Sequence, residues 1–344
     1  MERRLAWPEI AGFLEDSAHQ SCSSELGAAV IILEGLESVS SIFEATVVTV
    51  GNFDGVHLGH VRLLRRTVEL ARQWGIAAVA FTFDPHPAAI LQPQNPPLPL
   101  TDRERKLDLL RPLGLDAVIL YPTDYEFLSL TWRDFLEELL LGKLRVRGVV
   151  EGPDFRFGRN REGDWHLLQT WAKERGIYAE LVPAVVVEGQ PISSSRIRAL
   201  IAAGDVSTAN RLLSEPFRIR GRVVVGAKRG RTLGYPTANL ADVKTILPAQ
   251  GIYAGRAYLA EQAAVYPAAI SIGPNPTFEE MGLKIEAYLL DFEGDLYGKI
   301  IELEFLARLR DVQRFDNVQT LIEQMHRDVI ATREITGCPL PIRS

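Results

Sequence analysis

The sequence predicts two domains of different class: an α/β domain with a Rossmann-like parallel sheet, followed by a small antiparallel β-barrel with a C-terminal helix. Three observations lead to this prediction. The chain has 344 residues, about twice the length of a usual domain. Its first part alternates short apolar runs with helical patterns, whereas its last part has several strand-like runs and a single helical one. We expect an N-terminal extension at 1–28, the α/β domain at 29–215 and the barrel at 216–344.

In the α/β domain, short apolar runs predict strands at 45–50, 77–83, 117–121, 148–150 and 178–182. Helices are expected between them. The apolar residues of the first helix recur at helical spacing: Val61, Leu64, Val68 and Ala71. Thr101 and Glu104 have the spacing of a capping box, and an apolar stripe covers 131–141. Such alternation favours a parallel sheet covered on both faces, with ligands beyond the carboxyl ends of its strands.

In the barrel domain, strands are expected at 218–225, 251–259, 268–272, 284–291 and 299–306. Mostly turn-forming segments rich in Gly, Pro or Asp separate them. Only 318–332 has helical periodicity. Several strands followed by one helix are typical of a closed or nearly closed antiparallel barrel.

Composition excludes several classes of protein. Hydrophobic residues make up 47% and charged residues 24%, as in a globular chain with a sizeable core. No segment is apolar and long enough to span a bilayer, and acidic residues precede the apolar run at 27–33, so we expect a cytoplasmic protein with no membrane partner. The net charge of −6 argues against nucleic acid as a general partner. Small molecules are the expected partners, and a homo-oligomer stays open.

The two cysteines, Cys22 and Cys338, lie near opposite ends of the chain and lack the spacing of metal ligands. Neither a disulfide framework nor a zinc site is expected. A bound metal ion would therefore use oxygen ligands.

A glycine-rich string follows the first predicted strand of the α/β domain. It begins with five residues that we expect to bind phosphate: Gly51, Asn52, Phe53, Asp54 and Gly55. His57 and His60 end it, three residues apart at the start of a helix, so both imidazoles face the same place. Free N–H groups at a helix N-terminus attract phosphate, and histidine donors stabilise charge on its oxygens. The alternative is a simple strand-to-helix turn with incidental histidines.

Two further segments complete the predicted site of the α/β domain. Ser194, Ser195 and Arg196 begin a helix and form either a second phosphate clamp or an ordinary serine cap. Asp154, Phe155 and Phe157 follow a predicted strand and suit a flat polar ring, although two phenylalanines are as often core residues.

The barrel domain carries a basic glycine loop that we expect to cradle phosphate groups. Its binding candidates are Gly226, Lys228, Arg229, Gly230, Arg231 and Gly234. A solvated basic hairpin is the alternative. Just beyond the loop, Thr237 and Asn239 offer hard oxygen ligands suited to Mg²⁺. The chain has no Walker A motif and no protein-kinase signature, so phosphate transfer here would use a different fold.

The α/β half resembles the FMN adenylyltransferase branch of the nucleotidylyltransferase superfamily. The resemblance is carried by the strings Gly-Asn-Phe-Asp-Gly-Val-His-Leu-Gly-His, Asp-Phe-Arg-Phe-Gly and Ile-Ser-Ser-Ser-Arg-Ile-Arg. It implies that the phosphate of FMN attacks the α-phosphorus of ATP to give FAD and pyrophosphate. His57 and His60 would stabilise charge on the transferring group. Such transfers depend on positioning and electrostatics.

The second half resembles riboflavin kinases, through Gly-Arg-Thr-Leu-Gly-Tyr-Pro-Thr-Ala-Asn and Lys-Ile-Glu-Ala-Tyr-Leu-Leu-Asp-Phe. That resemblance implies that Glu286 is the base toward the ribityl hydroxyl of riboflavin, with Arg310 and Phe315 as candidate contacts for flavin or nucleotide. The order of the motifs is that of bifunctional prokaryotic enzymes of FAD synthesis. ATP would be the co-substrate, Mg²⁺ the metal, and riboflavin and FMN the substrates.

Two alternatives remain at this point. Only one half of the chain could be active, or the chain could be a flavin or nucleotide sensor without catalysis. The sequence keeps all five residues that the chemistry would need: His57, His60, Thr237, Asn239 and Glu286. A protein that only binds has no chemical need for the full set, so both alternatives are disfavoured.

Overall fold

A computed structural model describes residues 30–226, 230, 233–275 and 280–337. A parallel sheet is followed by a closed antiparallel barrel and a C-terminal helix, which confirms the predicted fold class. The predicted extension at 1–28 and both cysteines lie outside the described residues.

The strands are β1 Ile31–Glu34, β2 Thr46–Val50, β3 Ala77–Phe83, β4 Ala117–Tyr121, β5 Val146–Glu151, β6 Tyr178–Leu181, β7 Val186–Val187, β8 Gln190–Pro191, β9 Arg218–Val224, β10 Ala238–Ala241, β11 Gly251–Leu259, β12 Ala264–Asn275, β13 Glu280–Leu289 and β14 Ile300–Arg310. The α-helices are α1 Val39–Ile42, α2 Leu58–Trp74, α3 Pro87–Leu91, α4 Arg103–Leu110, α5 Tyr125–Leu128, α6 Trp132–Asp134, α7 Trp165–Glu174, α8 Ser194–Ala202, α9 Val206–Leu212 and α10 Val318–Thr336. Short 3₁₀ segments cover Arg111–Leu113, Arg159–Arg161 and Ala260–Gln262, and a π-helix covers Phe135–Lys143.

The parallel sheet has the order β1-β4-β3-β2-β5-β6. Strand β2 lies in its interior and is buried along its whole length, because apolar clusters cover both faces. Val48 packs in one cluster and Val47 in the other, as the alternation of side chains along a strand requires. Since all neighbours are parallel, the carboxyl ends of β2, β3 and β5 meet at one edge of the sheet.

The barrel closes in the order β10-β13-β12-β11-β14-β9, and every neighbouring pair is antiparallel. Closure pairs the edges of the sheet. Helix α10 packs against β11, β12 and β14 and covers one side of the barrel.

Sequence reasoning missed four strands, of which β7 and β8 have only two residues each, and misplaced one helix cap. Strand β1 is short and only partly buried at the sheet edge, and β10 has four residues, so neither gives a clear periodic pattern. The capping box predicted from Thr101 and Glu104 is wrong. Asp102 caps α4 by accepting a hydrogen bond from the Arg105 N–H, because the hydroxyl of Thr101 is directed to Asp54 instead.

Apolar packing joins the two halves. Residues of α8 and α9, among them Ile201 and Leu212, belong to the same buried cluster as Ile219 and Phe305 of the barrel. Charges join them too, because Glu215 accepts hydrogen bonds from Arg105 of α4 and from Arg218 of β9.

Candidate active sites

The first site lies where β2 ends and α2 begins. His57 is the N-cap of α2, and its Nδ1 accepts a hydrogen bond of 3.2 Å from the His60 N–H. The loop before it turns through Gly55, whose φ is 80°. A Cβ there would come within 2.8 Å of Leu100 Cδ1, so glycine suits both the backbone and the packing. The turn points the start of the helix toward the carboxyl edge of the sheet.

The two imidazoles form a stacked pair. The ring centroids of His57 and His60 are 3.5 Å apart with an interplanar angle of 15°. Burial lowers the pKa of His57 to about 4. Burial, the neighbouring His57 and the charge of Lys106 also hold the pKa of His60 well below its usual value. Both imidazoles are therefore neutral at pH 7.

Two polar atoms at this site are buried and have no hydrogen-bond partner among the described residues. They are Nδ1 of His60 and Oδ1 of Asn52. Buried polar atoms without partners are costly and uncommon. A bound ligand is one way to satisfy them, which supports the prediction that this edge of the sheet is a binding site.

The carboxylate of Asp54 is turned into the protein. It is 2% exposed and accepts hydrogen bonds from the Leu100 N–H at 2.9 Å and from Arg198 Nη2 at 2.7 Å. A carboxylate has no proton to give a phosphate and would repel it. Asp54 therefore shapes the loop, and the geometry does not support a direct phosphate contact by its side chain.

The predicted serine clamp is brought only partly to this site. The hydroxyl of Ser194 donates to the Asp54 carbonyl at 2.9 Å, whereas Ser195 is exposed. Arg196 donates to the carbonyls of Val187 and Gln190 in the β7–β8 hairpin. Ser193 caps α8, as the alternative of a serine cap anticipated.

Arg198 is the arginine of this segment that reaches the glycine loop, and sequence reasoning missed it. The spacing between Ser194 and Arg198 in the sequence could have identified it. Arg198 stands four residues after Ser194, and residues four apart share one face of a helix. Arg196 stands two residues after Ser194 and faces elsewhere.

The predicted aromatic group divides between core and surface. Phe157 is buried and stacks on Phe135 at 5.1 Å, as the core alternative anticipated. Phe155 is half-buried and stacks on Phe157 at 5.3 Å, and Asp154 is exposed. Only Asp154 and Phe155 therefore keep surface that a ring could contact.

Two buried ionisable groups near this edge were not predicted. Lys106 of α4 is 8% exposed, and its Nζ lies 3.2 Å from the carbonyl oxygen of Phe83. Glu151 is 1% exposed, and its Oε1 accepts a hydrogen bond of 2.7 Å from the Val50 N–H. Burial raises the pKa of Glu151 well above its usual value, which favours the protonated carboxyl. Neither residue belongs to a recognisable motif.

The second site is a cavity between the barrel and α10. Its empty space, including open solvent at its mouth, is about 780 Å³. Four residues predicted from the sequence line it: Thr237, Glu286, Arg310 and Phe315. Tyr235 and Tyr288 add an edge-to-face aromatic pair with centroids 5.3 Å apart. One cavity thus combines an aromatic wall with polar groups.

Oxygen-bearing side chains meet at one end of this cavity. The hydroxyl of Thr237 lies 3.4 Å from Oε2 of Glu286. Asn239 stands directly opposite Glu286 in the β10–β13 pair, and residues opposite each other project to the same face of a sheet. Hydroxyl, amide and carboxylate oxygens are the ligands that Mg²⁺ takes from proteins. No group of three or more His, Cys, Asp or Glu side chains suited to a metal occurs within the described ranges.

Arg310 is held by α10 rather than free in the cavity. Its Nη2 lies 2.7 Å from Oδ2 of Asp328, and its Nε lies 3.0 Å from Oδ1. The guanidinium carbon is 5.7 Å from the ring centroid of Phe315. The Arg310–Asp328 ion pair joins the end of β14 to α10, and Phe315 lies at the cavity wall.

Of the basic loop, the structure describes the three glycines and Leu233. Lys228, Arg229 and Arg231 lie outside the described residues. A Cβ at Gly226 would come within 2.3 Å of Asn239 Nδ2, and one at Gly230 within 2.2 Å of the Tyr235 carbonyl oxygen. Gly234 has a φ of 85°. These glycines let the loop approach Asn239 and Tyr235 closely.

Across the described ranges, no helix has the length and apolar character needed to cross a membrane.

Two protein-family models match separate segments of the chain. A family model described as FAD synthetase matches residues 39–196, and one described as riboflavin kinase matches residues 213–336. The bifunctional riboflavin kinase/FMN adenylyltransferase of Escherichia coli K12 is 36% identical over 312 residues, covering 90% of this chain and 99% of the relative. The Bacillus subtilis 168 protein of the same name is 34% identical over 288 residues, covering 82% of this chain and 90% of the relative.

A solved structure has the same overall architecture. It is described as a macrolide-efflux protein from Streptococcus pneumoniae, and it superposes with a TM-score of 0.79 at 32% identity, covering 89% of this chain and 99% of that one. The two family models and the near full-length relatives place the chain in one group: it belongs to the family of bifunctional riboflavin kinase/FMN adenylyltransferases.

Proposed function

We propose that this chain makes FAD in two ATP-dependent steps, phosphorylating riboflavin to FMN in the barrel domain and adenylylating FMN in the α/β domain. The observation that carries the proposal is that one chain holds two separate sites. A stacked histidine pair lies at the sheet edge, and a Thr237–Glu286 pair lies in the barrel cavity. We keep the division at 29–215 and 216–344 for these two activities.

For adenylylation, an oxygen of the FMN phosphate would attack the α-phosphorus of ATP, and pyrophosphate would leave. Because Nδ1 of His57 accepts a hydrogen bond, the proton of this neutral ring would be on Nε2, from which it could be donated to a phosphate oxygen. Negative charge arriving beside the rings would raise the pKa of both histidines. The pair would then stabilise the charge that develops during transfer, without a covalent intermediate.

For phosphorylation, the 5′-hydroxyl of the ribityl chain would attack the γ-phosphorus of ATP, and ADP would leave. Glu286 would accept the proton of that hydroxyl. Thr237 donates to the same carboxylate and would orient it. The isoalloxazine ring would lie against the aromatic wall that includes Tyr288 and Phe315.

We propose Mg²⁺ as the metal of the kinase site, held by the oxygens of Thr237 and Asn239 together with those of ATP. When bound, it would neutralise charge on the phosphate groups. The glycines of the basic loop would let its N–H groups approach the same phosphates.

We also retain the proposals that the chain acts in the cytoplasm on small molecules, with no nucleic-acid or membrane partner. The net charge of −6 supports the first exclusion.

Chromatography of products from the purified full chain tests the main proposal. Riboflavin, ATP and Mg²⁺ should give FMN first and FAD later. FMN alone would mean that only the barrel is active. FAD from supplied FMN, with no FMN from riboflavin, would mean that only the α/β domain is active. If neither FMN nor FAD forms, the result favours the alternative of a flavin or nucleotide sensor without catalysis.

A further inference from the structure

Lys106 is a buried cation near the end of β3, and it has no ionic partner among the described residues. Its side chain forms no salt bridge with any residue in the described part of the chain, and its one protein hydrogen bond goes to the Phe83 carbonyl at 3.2 Å. The preceding residue, Arg105, is equally buried but is paired with Glu215. Of these two adjacent buried cations on α4, only Arg105 has a counter-ion among the described residues.

Burying an ammonium group without a counter-ion is costly. A neutral carbonyl offsets only part of the lost hydration, and it uses one of three N–H donors. Burial lowers the pKa of Lys106, while the charges of Asp54 and Asp84 oppose that shift. Asp54 is already bonded to Arg198, so it is not a dedicated partner for Lys106. An incoming anion would complete the charge balance.

The position of Lys106 connects it to the phosphate-binding edge. Phe83 ends β3, the strand next to β2. The Gly51 N–H donates to the Phe81 carbonyl at 3.0 Å, and the Thr82 hydroxyl donates to the Asn52 carbonyl at 3.1 Å. The end of β3 is therefore tied to the loop that carries the histidines. The positive charge of Lys106 also contributes to lowering the pKa of His60 and of His86.

We propose that Lys106 binds the polyphosphate of the nucleotide in the α/β site and therefore also binds inorganic pyrophosphate. The assignment rests on the proposed adenylylation. A protonated Lys106 would add a positive charge to a site that otherwise offers two neutral imidazoles, which suits a ligand with several negative charges. Lys106 would hold the phosphate chain while the histidines act on the reacting group.

The test uses Lys106→Met in the full chain, with Lys173→Met as the matched control because Lys173 is exposed in the same half. Two quantities are measured: the KM for ATP in FAD formation from FMN, and the Kd for inorganic pyrophosphate by calorimetry. We expect both to rise about 10- to 100-fold, the scale of one lost charge-assisted hydrogen bond. Lys106→Arg should recover part of the loss. Riboflavin phosphorylation should stay at the wild-type rate.

A purely structural lysine gives a different result. If Lys106 only ties α4 to β3, Lys106→Met will lower the unfolding temperature but keep the wild-type Kd for pyrophosphate and KM for ATP, and the proposal is then wrong. If Lys106→Met does not fold, Lys106→Gln serves instead, because its amide can still donate to the Phe83 carbonyl.

The experiment separates this proposal from the proposed function. Suppose that the wild-type chain forms no FAD but binds pyrophosphate in a way that depends on Lys106. That result would support phosphate binding by Lys106 and overturn the proposed adenylylation. If the wild-type chain forms FAD and the Lys106→Met variant is unaffected, only the proposed role of Lys106 is overturned.

Discussion

Arg198 and Asp54 form a buried ion pair that connects α8 to the glycine loop, with Nη2 and Oδ2 2.7 Å apart. The side chain of Asp54 is 3% exposed and that of Arg198 is 16% exposed. Because one residue of the pair lies in the glycine loop and the other in α8, the pair stabilises the loop that ends at His57. Removing one member would leave an uncompensated charge in the interior.

We predict that Arg198→Ala will lower the free energy of unfolding by about 3–5 kcal/mol, the usual cost of breaking a buried pair. It should also impair FAD formation, because the loop loses its anchor. Urea denaturation and an assay with supplied FMN measure the two effects. Arg196→Ala is the matched control, since Arg196 bonds to the β7–β8 hairpin, and it should have the smaller effect on both. Equal effects of the two variants would contradict the assignment.

The contrast between Arg196 and Arg198 shows how far sequence reasoning reaches. The string at 192–198 located the segment, but the choice of arginine depends on the helical phase relative to a loop 140 residues away, which only the fold provides. The general architecture was predictable because periods of two and 3.6 residues repeat over long segments. Short edge elements such as β1 and β10 carry too few residues for a period to appear.

The burial of individual charged residues was also not predictable from the sequence. Lys106 and Glu151 occupy ordinary positions in a helical and a strand pattern, and their burial results from packing between elements distant in sequence. His57, Glu286 and Thr237 were recognisable because their motifs place several polar residues at fixed short spacings. Recognition thus depended on local chemistry, and the missed residues acquire theirs through tertiary structure.

His57 should make the fold sensitive to acid. Its pKa is about 4 in the folded chain and 6.5 in a model peptide. As the pH falls from 6.5 toward 4, the unfolded state binds the proton first, so folding stability falls. The full loss is about 3 kcal/mol, reached below pH 4. His57→Asn keeps an N-cap acceptor without titrating. Urea denaturation between pH 7 and 4 should show a shallower loss for the variant, and parallel curves would contradict the lowered pKa.

Glu151 should make folding stability change with pH in the direction opposite to that of His57. Burial raises its pKa, so the folded state keeps a proton that the unfolded state releases above its ordinary pKa near 4.5. Its contribution to stability is complete below that value and is lost as the pH rises through the raised pKa. Glu151→Gln keeps the carbonyl that accepts from the Val50 N–H. Relative to wild type, the variant should gain stability between pH 4.5 and 7. A difference that does not change with pH would show that Glu151 is ionised in the folded chain.

Glu286→Gln should separate base catalysis from binding in the barrel cavity. The amide keeps the size of the side chain and can still accept from the Thr237 hydroxyl, but it cannot take the proton of the ribityl alcohol. We expect riboflavin phosphorylation to fall by about 10²- to 10⁴-fold, the range for a lost general base. The KM for riboflavin should change little, and FAD formation from supplied FMN should persist in the same preparation. That second activity shows that the variant is folded.

The matched control for this last experiment is Glu293→Gln, which changes an exposed carboxylate of the same domain in the same way. It should phosphorylate riboflavin at the wild-type rate. Initial rates at saturating ATP and Mg²⁺, followed by chromatography of FMN, measure both variants. A wild-type rate for Glu286→Gln would remove Glu286 from the proton transfer. A fall in both activities would instead mean that the carboxylate supports the fold, because the two sites lie on different domains and a missing base at one cannot slow the other.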